Sequence, residues 1–361
     1  MERYSYQYKT SDFYADLRTL LPEDALLFDI ETTGLSRDWC SIYLIGCGYR
    51  RGDEITVELL FSPTPMDEAD TLRAFFELLL GFSSVITFNG DSFDIRFIRD
   101  RAKKHGINPH DFDRIKSLDL FKTVKRFSKF LNTPDCRQKT IEQYYGLFRE
   151  DRYNGGQLID IYKQYSMRPD PEMLETLLLH NHEDVKGMLT VMNVLELSRL
   201  AEILEAFGDF DTTRPDELIF HFPAKLHQNI VVSDVYYTVS VKSDGVTVIL
   251  HPKNGELAHF YSNYRDYCYI PDEALLIPKS LASTIDRSRI EKATKENCCT
   301  KHTGTYLPIT DEKGHRIFDA ADTLTFKKSY SDKQLFIEID PADISEAFML
   351  EYIRSLVKYI F

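Results

Sequence analysis

Apolar and polar positions along the chain predict a layered α/β domain followed by a second module. Residues 25–30 form an apolar run that ends in acidic residues and passes into Thr-Thr-Gly, the pattern of a central strand opening into a turn. β-like runs at 41–49 and 55–61 lie close enough for an antiparallel meander. The periodicity then changes. Segments 67–80 and 93–104 carry apolar residues at helical spacing, and short β-like runs at 85–88 and 115–118 follow them. A meander that gives way to alternating strands and helices predicts a mixed sheet with helices on its faces. Further helical patterns occupy 140–146, 155–165 and 171–200.

The pattern breaks at FGDFDTTRP, 207–215, which reads as a linker or loop. Beyond it, 230–250 holds two β-rich runs around Ser243-Asp244-Gly245, a hairpin signal, with more β-like segments at 257–261 and 334–339 and a terminal helix at 344–361. These elements predict a second, smaller α+β domain. The expected division is an N-terminal extension at 1–24, a first domain at 25–205 and the α+β domain at 206–361.

Composition narrows the function classes. With 43% hydrophobic and 28% charged residues the chain is an ordinary globular one, and no run of about 18 apolar residues suggests a membrane span. The opening MERYSYQYKTSDFY has neither a basic nor an apolar leader region, so the expected location is the cytoplasm. Six scattered cysteines without a CxxC pair argue against a disulfide framework or a structural zinc site. A net charge of -13 argues against coating nucleic acid by bulk electrostatics, while leaving room for a local basic track.

Three short segments carry candidate chemistry. In FDIETTG, Asp29 and Glu31 are two apart on a predicted strand and so share a face, where they repel unless a cation compensates. A solvated strand edge is the other reading of an isolated pair. In TFNGDSFD, Asp94 stands in the first turn of a predicted helix at the carboxyl edge of the sheet, where ligands bind and where an acid also serves as a plain helix cap. In HNHEDV, His180 and Asp184 are one helical turn apart, whereas His182 points elsewhere.

In this order and separation, DIETTG, NGDSFD and HNHEDV resemble the DEDD superfamily of 3′-to-5′ exonucleases, with the RNase H-like fold, and most closely bacterial YprB-like proteins with ribonuclease H-like domains. The resemblance covers about residues 25–200. It implies an RNase H-like mixed sheet, two Mg2+ or Mn2+ ions held by Asp29, Glu31, Asp94 and Asp184, and hydrolysis of DNA or RNA from a free 3′ end. It also places Thr32, Thr33 and Asn89 in substrate binding. The family positions its attacking water with a Tyr four residues before the last Asp or a His five before it. Here Leu fills position 179, and His180 combines the tyrosine spacing with the histidine side chain, which makes it the candidate for the water.

Cations for a phosphate track occur twice. Arg96, Arg99, Arg101, Lys103 and Lys104 follow the second motif, while Lys122, Lys125, Arg126 and Lys129 share one helical face. A solvated face is the alternative for the latter. Phe93 reads as core, and Tyr261, Tyr264, Tyr267 and Tyr269 around Arg265 read as packing before base stacking. The competing function classes are a binding module with a degenerate site and a partner-docking protein. The complete carboxylate set favours the nuclease.

Overall fold

The run at 25–30 is buried on both sides because it forms the centre of a sheet. The computed structural model describes residues 1–109, 112, 114–204, 209–211, 216–320 and 323–361, and the chain divides into the units Met1–Ser198 and Arg199–Phe361. In the first unit, Glu2–Lys9 (β1), Ala25–Thr32 (β2), Ile42–Arg51 (β3), Glu54–Phe61 (β4), Ser84–Thr87 (β5) and Lys116–Asp119 (β6) form one sheet in the order β1-β4-β3-β2-β5-β6. The pairs β1 with β4, β4 with β3 and β3 with β2 are antiparallel, while β2, β5 and β6 are parallel. The unit's helices include Leu17–Leu20 (α1), Glu68–Leu79 (α2), Asp94–Lys104 (α3), Leu120–Leu131 (α4), Gln138–Tyr144 (α5), Gly155–Met167 (α6) and Pro171–Val191 (α7). This is the expected mixed sheet with helices on its faces.

The N-terminal segment is no extension. Glu2 to Lys9 pair residue for residue with Phe61 to Glu54, and β1 is the sheet's edge strand. Its alternation of Tyr with polar residues is a strand signal, and Tyr4, Tyr6 and Tyr8 are the half-buried positions. Tyr6 packs on the His182 ring at 4.4 Å and the Tyr8 hydroxyl lies 2.7 Å from His182 Nε2. His182 therefore fastens α7 to the edge strand, and burial holds its pKa below the usual value.

The two faces of β2 do different work. Leu26, Phe28 and Ile30 join Leu72, Phe75, Ile95, Phe97 and Ile98 in a core under α2 and α3. The opposite face receives α7, and β3 lets it come close by having no side chain where it lands. A β-carbon on Gly46 would stand 2.2 Å from Asn181 Oδ1 and 2.7 Å from Val185 Cγ2. Gly46 is also the ladder partner of Asp29. The helix expected over 171–200 ends at Val191, with short turns after it.

The second unit is α+β. It holds antiparallel sheets of five, four and three strands and the helix Glu346–Ile360. The Asp-Gly hairpin is present, since Tyr237–Lys242 pairs with Gly245–Leu250 around Ser243 and Asp244. Within the segment read as a linker, Asp209–Asp211 is a strand paired with Ile219 to His221, and 207, 208 and 212–215 lie outside the described residues. Among the described residues, no helix is long and apolar enough to cross a membrane.

The packing of α7 on Gly46 predicts that Gly46→Ala destabilises the first unit by about 1–3 kcal/mol, the usual cost of overpacking. Gly155→Ala, where an added β-carbon meets nothing within 4 Å, serves as the control. Urea unfolding of both variants checks this, and equal midpoints would mean that α7 does not rest on the glycine.

Candidate active site

Asp29 and Glu31 alternate with Phe28 and Ile30, so with the apolar pair turned to the α2 and α3 core they face α7. Asn181, on the turn of α7 that meets Gly46, donates from Nδ2 to Asp29 Oδ2 at 2.8 Å. Asp94 opens α3, is 6% exposed, and accepts the Ile30 backbone N–H on Oδ1 at 3.2 Å. That bond ties the second motif to the strand of the first. From α7, His180 Nε2 reaches to 3.3 Å from Glu31 Oε1 and 3.2 Å from Asp184 Oδ2. One ligand atom each from Glu31, His180 and Asp184 lie within 4.8 Å of one another. The order of motifs in the chain thus becomes proximity in space.

Bringing these acids together costs them solvation. Burial, then the charges of Asp184 and Asp94, push the carboxyls of Asp29 and Glu31 well above the usual carboxylate range. Burial likewise pushes Asp94 up to about 7, against the two backbone N–H groups that favour its ionised form. Tyr43 stacks on Tyr162 at 4.2 Å and directs its hydroxyl to Glu31 Oε2 at 3.5 Å.

Several residues of the site carry no sequence signal. Arg149, 5% exposed, donates from Nη1 to Asp184 Oδ1 at 2.7 Å and from Nε to the fully buried Glu142 at 2.6 Å. Gln138 Nε2 bridges Glu142 and the Asp184 carbonyl at 2.8 Å each. Asp151 Oδ2 lies 2.7 Å from His180 Nδ1 and 2.9 Å from Lys139 Nζ. Both carboxylate oxygens of Glu183 accept backbone N–H groups, from Glu150 and Asp151 at 2.9 Å each, which pins the loop to α7. In sequence this stretch is only FREDRYN, alternating charges of the kind any solvated loop carries. Of these residues, Asn181 and Glu183 stand within a motif already singled out, HNHEDV.

The residues assigned to substrate binding are placed less uniformly. Thr32 is buried and donates its hydroxyl to the Gly34 carbonyl at 2.9 Å, and Thr33 Oγ1 accepts the Ser41 N–H at 2.9 Å. Both hydroxyls therefore close the turn from β2 to β3. Asn89 has a left-handed backbone at φ 63°, with its N–H on Asp119 Oδ1 at 2.7 Å and its side-chain oxygen bonded to Ser92 at 2.9 Å. Lys122, Lys125, Arg126 and Lys129 are all exposed on one face of α4, opposite the buried Val124, Phe127 and Leu131. Lys122 pairs with Asp91, while Arg126 and Lys129 lie over the rings of Phe127 and Phe130 at 5.0 and 4.5 Å. Arg101 is no phosphate contact, because it is buried in an ion pair with Glu68, with Nε to Oε1 at 2.8 Å. Phe93 packs on Phe97 at 5.3 Å, the core role expected of it.

The site fits a divalent cation. Three desolvated carboxyls, those of Asp29, Glu31 and Asp94, are pushed up by burial and mutual repulsion, and with Asp184 beside them they are the electrostatic complement of a hard ion. Glu31, His180 and Asp184 already converge on one point.

A family model described as RNase_H superfamily matches residues 26–196, the span that contains all three motifs. Among solved structures, the chain is similar to the family B DNA polymerase from the hyperthermophilic archaeon Pyrobaculum calidifontis, at 16% identity and a TM-score of 0.40 over 68% of this chain and 35% of that one. It is similar also to Escherichia coli ExoI in the zinc-bound complex with single-stranded DNA, at 13% identity and a TM-score of 0.29 over 55% of this chain and 54% of that one. A third likeness is to exonuclease I in its apo form, at 14% identity and a TM-score of 0.28, covering 55% and 56%. The chain thus spans between about a third and just over half the length of these structures. No curated protein sequence matches it significantly. The match to the RNase H superfamily thus falls on residues 26–196, the part of the chain that holds the central strands of the mixed sheet and all three motifs.

Proposed function

We propose that the protein is a nuclease, specifically a 3′-to-5′ exonuclease that hydrolyses DNA or RNA with two divalent ions, Mg2+ or Mn2+. The observation that carries the reading is the meeting of Asp29, Glu31, Asp94, His180 and Asp184 at the carboxyl end of β2. When bound, such ions polarise the phosphodiester and lower the pKa of the attacking water. The chain's own residues supply the frame. Asp29 and Glu31 present oxygens from the strand, Asp94 from the helix after β5 and Asp184 from α7. Arg149 fixes the Asp184 carboxylate through Oδ1 and leaves Oδ2 turned towards His180 and Glu31. Outside the acids, the basic face of α4 follows directly on Asp119, which caps that helix and holds the Asn89 turn. A backbone lying there would have its phosphates next to the Asp94 edge.

The direct test is digestion of 5′-labelled and 3′-labelled single-stranded DNA and RNA with Mn2+ and with EDTA. A ladder shortening from the 3′ end only, abolished by EDTA, is the result expected. Asp29→Asn preserves shape and the Asn181 contact but removes charge, and should lower turnover by more than about 100-fold, beyond the range for outer residues. Turnover equal to the wild type would remove the site assignment.

Replacing Lys125 and Lys129 by Gln should weaken binding of a single strand and lower the slope of log affinity against log salt by about 0.7 for each phosphate that is no longer neutralised. An unchanged slope would leave α4 as a solvated face.

The carboxylate repulsion predicts a pH effect on the metal-free protein. Asp94 has a folded pKa raised from 3.8 to about 7, so its contribution to stability is complete below the unfolded value and disappears as pH rises through about 7. The melting temperature in EDTA should fall between about pH 5 and pH 8, and added Mn2+ should recover most of the loss at the upper end. A melting temperature in EDTA that rises over this window would contradict the repulsion.

A further inference from the structure

His180 has both ring nitrogens engaged in a way that decides what it is. Nδ1 lies 2.7 Å from Asp151 Oδ2. The Asp151 side chain is 1% exposed and is held on other sides by Lys139 Nζ at 2.9 Å and by the Tyr153 N–H at 3.0 Å. Surrounded by donors, this carboxylate is ionised and only accepts, so Nδ1 carries the hydrogen. In the neutral ring Nε2 is then a bare lone pair, facing Glu31 Oε1 at 3.3 Å and Asp184 Oδ2 at 3.2 Å. Such a grouping needs a positive centre, either one proton held on the ring or on a carboxyl, or a metal ion.

The geometry separates the two. Ligands about 2.1–2.2 Å from an ion and about 90–110° apart stand about 3.0–3.6 Å from each other. Both separations fall in that interval, and all three ligand atoms lie within 4.8 Å of one another. A single proton, by contrast, lies in line between only two of the three atoms, and shared among them it is bent away from each. A carboxylate behind the ring nitrogen that does not bind the ion is also the usual support of a metal-ligating histidine.

We propose that His180 is a metal ligand through Nε2, together with Glu31 and Asp184 and oriented by Asp151, and that its nitrogen biases the site towards Mn2+-class transition ions over Mg2+. Imidazole suits such ions, whereas Mg2+ takes oxygen ligands and keeps much of its water. This deepens the nuclease reading and rests on it for what the ion does. It also changes the role expected from sequence, where His180 acts on the water. Asp151 becomes a positioning residue whose effect passes through the ring.

The test is metal binding by the full chain, which needs no substrate. Electron spin-echo modulation of the Mn2+ complex should show a directly bonded nitrogen in the wild type and none in His180→Ala. By calorimetry, His180→Ala should weaken Mn2+ by more than about 10-fold and reduce the preference for Mn2+ over Mg2+. Asp151→Asn keeps the ring but not its anchor, and should weaken Mn2+ by about 10- to 100-fold. Circular dichroism in EDTA reports whether each variant folds, and if His180→Ala does not, the wild-type spectrum still decides. No nitrogen coupling in the wild type, or unchanged Mn2+ affinity in a folded His180→Ala, overturns the assignment. Nitrogen coupling without hydrolysis of any nucleic acid would keep the ligand and discard the nuclease, and hydrolysis without coupling would do the reverse.

Discussion

The placement of α7 against the sheet is the contact on which the site depends. Asp29 and Glu31 come from β2, but Asp184, His180 and Asn181 reach them only if the helix axis lies close to β3. Gly46 provides that room, directly across the ladder from Asp29. On the far side, Tyr6 and Tyr8 of the edge strand grip His182. The helix is thus held on one flank by aromatic packing and seated on the other by missing side chains. Two nearby histidines then have opposite duties, about 200° apart on the ideal helix, one structural and one facing the acids.

Much of this was legible in the sequence because it is local. Strand and helix periods identify the layers, and DIETTG, NGDSFD and HNHEDV each hold chemistry that is readable from a few residues. The misreadings have the same origin. ERYSYQYK alternates as a strand should, but an edge strand whose partner lies some fifty residues on looks like an extension when read alone. Thr32 and Thr33 stand next to two acids, and nothing local shows that their hydroxyls also close the turn to β3. Arg101 sits in a run of cations, but its helical position faces inward to Glu68, on another helix. Pairings between segments far apart in the chain leave no mark on either one.

The same holds for the loop that carries Arg149 and Asp151. Its residues matter through Glu142, Asp184, His180 and Glu183, which belong to two different helices. Nothing in FREDRYN distinguishes these acids and bases from solvated ones, and the clamp of two backbone N–H groups by Glu183 adds to the bonds of Arg149 and Asp151 in making the loop part of the site. A buried Arg with a carboxylate on each side is costly to desolvate and is kept in place by both.

Charge then has an order. The chain carries a net -13, and its acidic centre by itself repels a phosphate. Arg149 offsets Asp184 within the fold, and a divalent ion would offset the carboxylates that remain desolvated. Only with those acids neutralised would the exposed basic face of α4 meet a polyanion without an opposing field beside it. On the proposed function, metal and nucleic acid would therefore be coupled electrostatically through the acids, at a distance from Lys125 and Lys129. Because linkage is reciprocal, a phosphate backbone lying at the Asp94 edge must in turn tighten the hold of the carboxylates on the metal.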